Sequence, residues 1–228
     1  MVSDFRAFPH ETRTFLEELG AHNRRDWFAA HRDDYERYWL APAQAFVAAI
    51  GPLLATIAPG VHAEPRVNGS IMRINRDTRF SKDKTPYKTH LDLWFWEGPE
   101  RRAAVSGFFA RLTPDAFAVG VGAHGFAPAR LKAYRAAVVD PKRGGALLKA
   151  ARRLEAAGLE IGGETYRRVP AGYAAANEEA ARFLRHSALW TVEEVHPAAV
   201  AEDGAAIDHA MAEFRRMAPL HHRLVESL

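Results

Sequence analysis

The residues best suited to chemistry lie between Arg73 and His90, where the chain reads Arg-Ile-Asn-Arg-Asp-Thr-Arg-Phe-Ser-Lys-Asp-Lys-Thr-Pro-Tyr-Lys-Thr-His. From Arg73 to Lys88 six cations face two acids, a local charge of +4 in a chain whose whole net charge is +3. Lysine is rare, six against 25 arginines, yet three of the six are Lys82, Lys84 and Lys88. Guanidinium forks recognise planar oxyanions, and ammonium groups neutralise them as mobile point charges. This pattern nominates Arg73, Arg79, Lys82, Lys84 and Lys88 as anion-neutralising residues, with Ser81 and Tyr87 as orienting donors. A basic run is commonly a solvated face. Here the concentration of lysine, the interleaved Ser, Thr, Asn and Tyr, and the nearby Trp94-Phe-Trp96 favour a ligand site.

Histidine titrates nearest neutrality, so it is the first residue type to weigh for proton transfer. His90 ends the basic stretch and shares a strand face with Asp92, which makes His90 and Asp92 the candidate acid–base pair. His31 lies on an aromatic helix face and reads as structural. His124 sits in Gly120-Val-Gly-Ala-His-Gly-Phe126, whose glycines suit close backbone approach but lack the strand-to-helix setting of a dinucleotide fingerprint. Trp94 and Trp96 suit either core packing or stacking on a base or sugar. No HExxH, no tight His and carboxylate cluster and no GxSxG is present, so neither a metal site nor a serine nucleophile is expected, and no cofactor is identified. His221-His222 reads as a surface pair.

Composition narrows the classes. The chain has 228 residues, 48% apolar and 26% charged, and no cysteine. Disulfides, thiolate zinc sites and cysteine nucleophiles are thereby excluded. No apolar run approaches a membrane span, and the first residues lack the basic-then-apolar order of a signal peptide. A cytoplasmic, non-membrane protein is expected. The pI near 9.3 reflects a concentrated cluster rather than a basic coat, which favours a local anion site over a general nucleic-acid surface.

The elements that must position these residues follow from periodicity. Phe15, Leu16 and Leu19 predict a helix stopping at Gly20. Asp26–Leu40 predicts a second, carrying Trp27, His31, Tyr35, Tyr38 and Trp39 on one face. Pro42 opens a third, which Gly51-Pro52 kinks or splits. Ser70–Phe80 reads as a strand with Arg73 and Arg79 on one face and Arg76 on the other, leaving Arg76 to an ion pair with a carboxylate of the helical layer. Asp83–Tyr87 is a turn, and Thr89–Trp96 a strand. Val105–Leu112 and Phe117–Ala123 form a hairpin across Thr113-Pro-Asp-Ala116. Beyond it come helices at Pro128–Val138, Gly145–Ala157, Glu178–His186 and Asp203–Met217, and strands at Glu164–Val169 and Leu189–Val195. The whole predicts one α+β domain over residues 1–228: a helical part to residue 60, an antiparallel sheet over 61–126, and a mixed helical part with one or two added strands over 127–228.

The sequence also resembles a family of uncharacterised bacterial and fungal proteins, a domain of unknown function. The resemblance rests on Asn23-Arg-Arg-Asp-Trp-Phe28 with His31, on Asn68 through His90, on Trp94–Gly98, Gly107–Phe109, Tyr134-Arg135, and Tyr166–Tyr173. Where that family tends to carry a run of asparagines, Asn23 here stands between His22 and Arg24. The resemblance implies a common fold and site and brings no reaction with it. The function expected is therefore binding of a phosphate-bearing or polyanionic small molecule, a nucleotide among them, with enzymatic activity left open. The alternatives are a non-catalytic nucleic-acid-binding module and a structural protein that sets its basic loop on an acidic partner.

Overall fold

Residues 5–98 and 105–227 are described by a computed structural model. Met1–Asp4, part of the stretch read for a leader pattern, lie outside the described residues. Helix α1 (His10–Ala21) turns Phe15, Leu16 and Leu19 inward as their spacing predicts. The second helix departs from expectation. It divides into α2 (Arg25–Ala30) and α3 (Arg32–Asp34), then passes through a π-helical turn, Tyr35–Leu40, into α4 (Ala41–Leu54). His31 makes the break with φ −109° and ψ 29°, and Tyr35 stacks on Trp39 with ring centroids 5.1 Å apart. Pro42 follows the π-helical turn with no break in helical dihedrals, so its missing N–H leaves a carbonyl of the preceding turn without its helical donor; Thr12 Oγ1 donates to Tyr38 O there, and Pro52 does not split the helix.

Six strands form one antiparallel sheet in the order β1-β2-β3-β4-β6-β5. They are β1 (Val61–His62), β2 (Leu91–Glu97), β3 (Gly107–Leu112), β4 (Phe117–Ala123), β5 (Gly162–Glu164) and β6 (His186–Val195). The predicted hairpin is β3–β4, closed by Thr113 N donating to Ala116 O at 2.9 Å. Helices α5 (Pro128–Val139), α6 (Pro141–Ala156), α7 (Glu178–Leu184) and α8 (Ala205–Val225) follow the hairpin, interleaved with β5 and β6. The domain is α+β, as composition and pattern predict.

Period-two alternation gives the sheet two unlike faces. Leu91, Leu93, Phe95, Phe108, Leu112, Phe117, Val119 and Val121 are all buried, packing on α8 through Phe108–Phe214 and on α4 through Phe46–Phe117. Each such side chain contributes about 1.5–3 kcal/mol on full burial, so this face fixes the sheet on the helices. The opposite face, with Asp92, Trp94, Phe109, Arg111, Trp190 and Val192, stays partly exposed.

Three local expectations are corrected. Ser70–Phe80 is not a regular strand: Ile71 and Asn75 make only isolated bridges. Its two buried isoleucines, Ile71 and Ile74, lie three apart, which a strand's alternation forbids on one face, and Phe80 is 95% exposed. In the region expected as strand Glu164–Val169, the regular strand ends at Glu164 and starts earlier, at Gly162. The His221-His222 pair is not at the surface, since His221 is completely buried on the inner stripe of α8. Among the described residues no helix is long and apolar enough to cross a membrane.

Candidate functional site

The basic stretch is a folded excursion along the part of the β2 edge that the short strand β1 leaves unpaired. Trp94 N donates to Ser70 O (2.8 Å), Met72 N to Asp92 O (2.9 Å), Lys88 N to Ile74 O (2.8 Å) and Arg76 N to Pro86 O (2.9 Å), with residues 77–85 forming the tip. Asn23 fastens this excursion to the helical layer. Its side chain donates to Tyr87 O at 2.9 Å and accepts from Tyr87 N at 3.0 Å, while the Tyr87 ring stacks on Phe28 with centroids 4.2 Å apart. The Asn23 motif thus holds the loop in place through backbone groups.

The cations fall into different settings. Arg76 donates to Asp83 (2.5 Å) and to Thr85 Oγ1, the ion-pair role expected of it, although the carboxylate comes from its own loop and not from the helical layer. Arg79 pairs with Asp77 at 2.7 Å and, through that hydrogen bond, lowers the Asp77 carboxyl to about 2. Lys84 Nζ donates to Thr78 O at 2.8 Å. Arg73 and Lys82 are exposed, and Ser81 is half-buried. Lys88 turns away from the tip to Asp92, 3.2 Å away.

Two places result where one was expected. The first is a cleft of about 460 Å³ between α2 and the loop, lined by Asn23, Arg24, Arg25, Asn75, Arg76, Thr78, Lys84, Pro86 and Tyr87. Of the expected ligand residues, Lys84 and Tyr87 line it, whereas Arg73, Arg79, Ser81, Lys82 and Lys88 do not. Arg24, Arg25 and Asn75 join it unpredicted; the neighbouring Arg24-Arg25 in the Asn23 motif was the available signal.

The second place is centred on Asp92. Its Oδ2 accepts from His90 Nε2 (3.1 Å) and Lys88 Nζ (3.2 Å), and its Oδ1 from Arg111 Nε (2.6 Å). Burial alone would raise this carboxyl, but hydrogen bonds from His90 and Arg111, with their charges, outweigh it and hold Asp92 well below the usual carboxylate range. His90 and Asp92 are therefore hydrogen-bonded, a contact that orients an imidazole, and Asp92 also anchors Lys88 and Arg111. Arg111 is the cross-strand partner of Asp92; strand register, which the sequence does not display, brings it there. Among the described residues no group of three or more His, Asp or Glu could hold a metal.

A third polar group lies inside the protein. His221 Nε2 donates to Glu97 Oε2 (3.0 Å), and Ser106 Oγ donates to His221 Nδ1 (2.9 Å). The assignment follows from charge, because a carboxylate can only accept. Burial keeps the imidazole pKa well below its usual value, against the opposing pull of Glu97. Ser106 is 1% exposed, so this Ser–His–Glu relay ties β2 to α8 and presents no nucleophile.

These features define a one-domain α+β protein whose antiparallel sheet is covered by helices on one face and carries a cationic loop at its edge. Residues 11–222 match the family described as a conserved hypothetical protein, DUF2461, and the chain belongs to that family. No curated protein matches it.

Proposed function

We propose that this protein binds a phosphate-bearing or other polyanionic small molecule in the cleft between α2 and the basic loop. The observation that carries this reading is the lining itself: Arg24, Arg25, Arg76 and Lys84 contribute four cations and no carboxylate lines the cleft. Asp83 offsets Arg76, and Asp26, 3.5 Å from Arg24, partly offsets that side chain. Arg25 and Lys84 then supply the uncompensated charge, with the Thr78 and Asn75 side chains beside them. His90 and Asp92 do not line the cleft, so the proposal is one of binding, and His90→Ala is the variant that probes for a reaction.

The test is a thermal-shift series with inorganic phosphate, nucleotides and sugar phosphates. A ligand at a hundred times its dissociation constant stabilises by about 2.7 kcal/mol. Arg25→Ala and Lys84→Ala, both exposed positions, should leave the unliganded melting temperature in place and remove the shift. The absence of any shift, or shifts that survive both substitutions, would overturn the reading.

One observation favours a second reading, nucleic-acid binding. Phe80 is 95% exposed at the loop tip, with the Arg79 guanidinium 5.8 Å from its ring centroid. A stacking aromatic among cations suits single strands. Oligonucleotide affinity falling log-linearly with salt, and weakened by Phe80→Ala, would select this reading over the first.

A further inference from the structure

The open face of the sheet has a regular construction that the cationic cleft does not involve. Antiparallel register aligns its outward side chains in rows across the strands. The first row is Asp92, Arg111, Ala118 and Glu194; the second is Trp94, Phe109, Gly120 and Val192. The third brings Gly107 and Gly122 level with Trp190. Strand β4 thus presents only Ala118, Gly120 and Gly122 to this face, between two strands that carry large side chains. The Phe109 ring covers Gly120, so the opening that remains is a trough floored by Ala118, with Arg111 and Phe109 on one side and Glu194, Val192 and Trp190 on the other.

The glycines have a second consequence. A Cβ at Gly120 would come within 2.5 Å of the Phe109 ring, one at Gly107 within 2.8 Å of the Trp94 ring, and one at Gly162 within 2.5 Å of the Trp190 ring. Each ring therefore lies down on the glycine of the next strand. Trp94 and Phe109 are nearly parallel, at 13°. Such rings shield bare backbone, and packing alone explains their posture. Packing does not explain why the trough beside them is left open, with a volume of about 300 Å³. His124 closes its far end, 5.2 Å from Phe109 and 5.8 Å from Trp190. Burial and the nearby Arg111 charge lower the His124 pKa, so it meets the trough as a neutral ring.

We propose that this trough is a binding site for a flat nitrogen heteroaromatic ring, laid over Ala118 against Phe109 and Trp190 with its edge groups met by Arg111 and Glu194. Three features select that occupant. The Phe109 ring lies flat on Gly120 and presents its outer face to the trough, and an aromatic face rewards a flat partner. The volume lies at the lower end of small-molecule pockets, which suits one or two fused rings. Across Ala118 a guanidinium donor stands opposite a carboxylate acceptor, and a heterocycle carries both complements on its edge. Charge excludes the cleft's kind of ligand here: the lining has Asp92 and Glu194 against Arg111, so an uncharged or weakly basic ring fits and a polyanion does not. The site is independent of the phosphate reading.

The test is tryptophan-fluorescence quenching of the full chain by adenine, nicotinamide and quinoline, with benzoate as the anionic control. Saturable quenching is expected from at least one of the three heterocycles and weaker binding from benzoate. Phe109→Leu should weaken binding about tenfold, and Val192→Phe, which fills the trough from its rim, should abolish it. Lys84→Ala should have no effect, which separates this site from the cleft. Glu194→Ala at an exposed position serves where a core-adjacent variant melts early, and should weaken binding several-fold. No saturable quenching by any heterocycle, equal affinity across the variants, or tighter binding of benzoate would overturn the proposal. So would sedimentation showing a dimer that Val192→Phe dissolves, because the trough would then be covered by a second copy of the chain.

Discussion

Acid should weaken this fold through His221, and the size of the effect follows from three contacts. The imidazole is completely buried, with Phe108 4.5 Å from it between ring centroids. It donates to Glu97 and accepts from Ser106, an arrangement available only to the neutral ring with its proton on Nε2. A second proton would turn Nδ1 from acceptor to donor and leave a charge inside the core, with His222 5.8 Å away. The folded-state pKa is therefore depressed below the unfolded value of about 6.5. The associated stability is complete above that pH. Below it the unfolded chain takes up a proton that the folded chain refuses, and stability falls by up to about 1.4 kcal/mol per pH unit until the folded pKa is reached. Other histidines contribute to acid sensitivity, among them His124 and His186, whose pKa values are also lowered by burial. The measurement must therefore be a difference. His221→Gln keeps one donor and one acceptor without the titration, and at pH 7.5 it should be about 1–3 kcal/mol less stable than the parent. Between pH 6.5 and 4.5 the gap should close by up to about 2.7 kcal/mol as the parent loses its advantage. Urea unfolding followed by circular dichroism at four pH values measures it. Parallel pH curves for parent and variant would show that His221 does not stay neutral in the fold, and the relay would have to be redrawn as an ion pair.

Two further expectations follow from the open face. Asp92→Asn should cost about 3 kcal/mol in urea unfolding, because it removes the charge that Lys88 and Arg111 both face at a largely buried position. Since the Asp92 carboxyl is held low, its contribution is complete above the unfolded carboxylate pKa of about 3.9 and is lost progressively below it, as the unfolded chain takes up a proton that the folded chain refuses, so the gap between parent and Asn variant should stay constant from pH 7 to about pH 5 and close below about pH 4. Gly120→Ala should destabilise by about 1–3 kcal/mol, because its Cβ would lie 2.3 Å from Thr191 O and 2.5 Å from the Phe109 ring, contacts that only movement of the backbone or ring relieves; a melting temperature unchanged from the parent would refute that packing.

What the sequence displays is what neighbours along the chain decide. The β3–β4 hairpin was legible because Thr113-Pro-Asp-Ala116 and the alternation on either side carry local information. Ser70–Phe80 has the alternation of a strand and yet does not form one, because its conformation is imposed from elsewhere, by Asn23 gripping Tyr87 and by single bonds to β2. His221 carries a helical signal: Phe214, Met217, Leu220, His221 and Leu224 follow the spacing of one helical stripe, which places this histidine among core residues whatever its neighbour His222 suggests.

The candidate sites divide along the same line. A cluster of lysines is a sequence feature, and it drew attention to the loop. Whether those lysines meet depends on where the chain turns, and the turn sends Lys84 to Thr78 and Lys88 to Asp92. The trough on β4 shows the converse. None of Ala118, Gly120 and Gly122 carries chemistry, and each looks unremarkable in a strand. Their effect comes from register, which sets them between Arg111 and Phe109 on one side and Glu194 and Val192 on the other. A binding surface can thus be written as small residues at alternate positions of one strand, and the functional groups that use it lie on its neighbours, 7 to 11 residues away across the hairpin and some 70 residues away across the sheet.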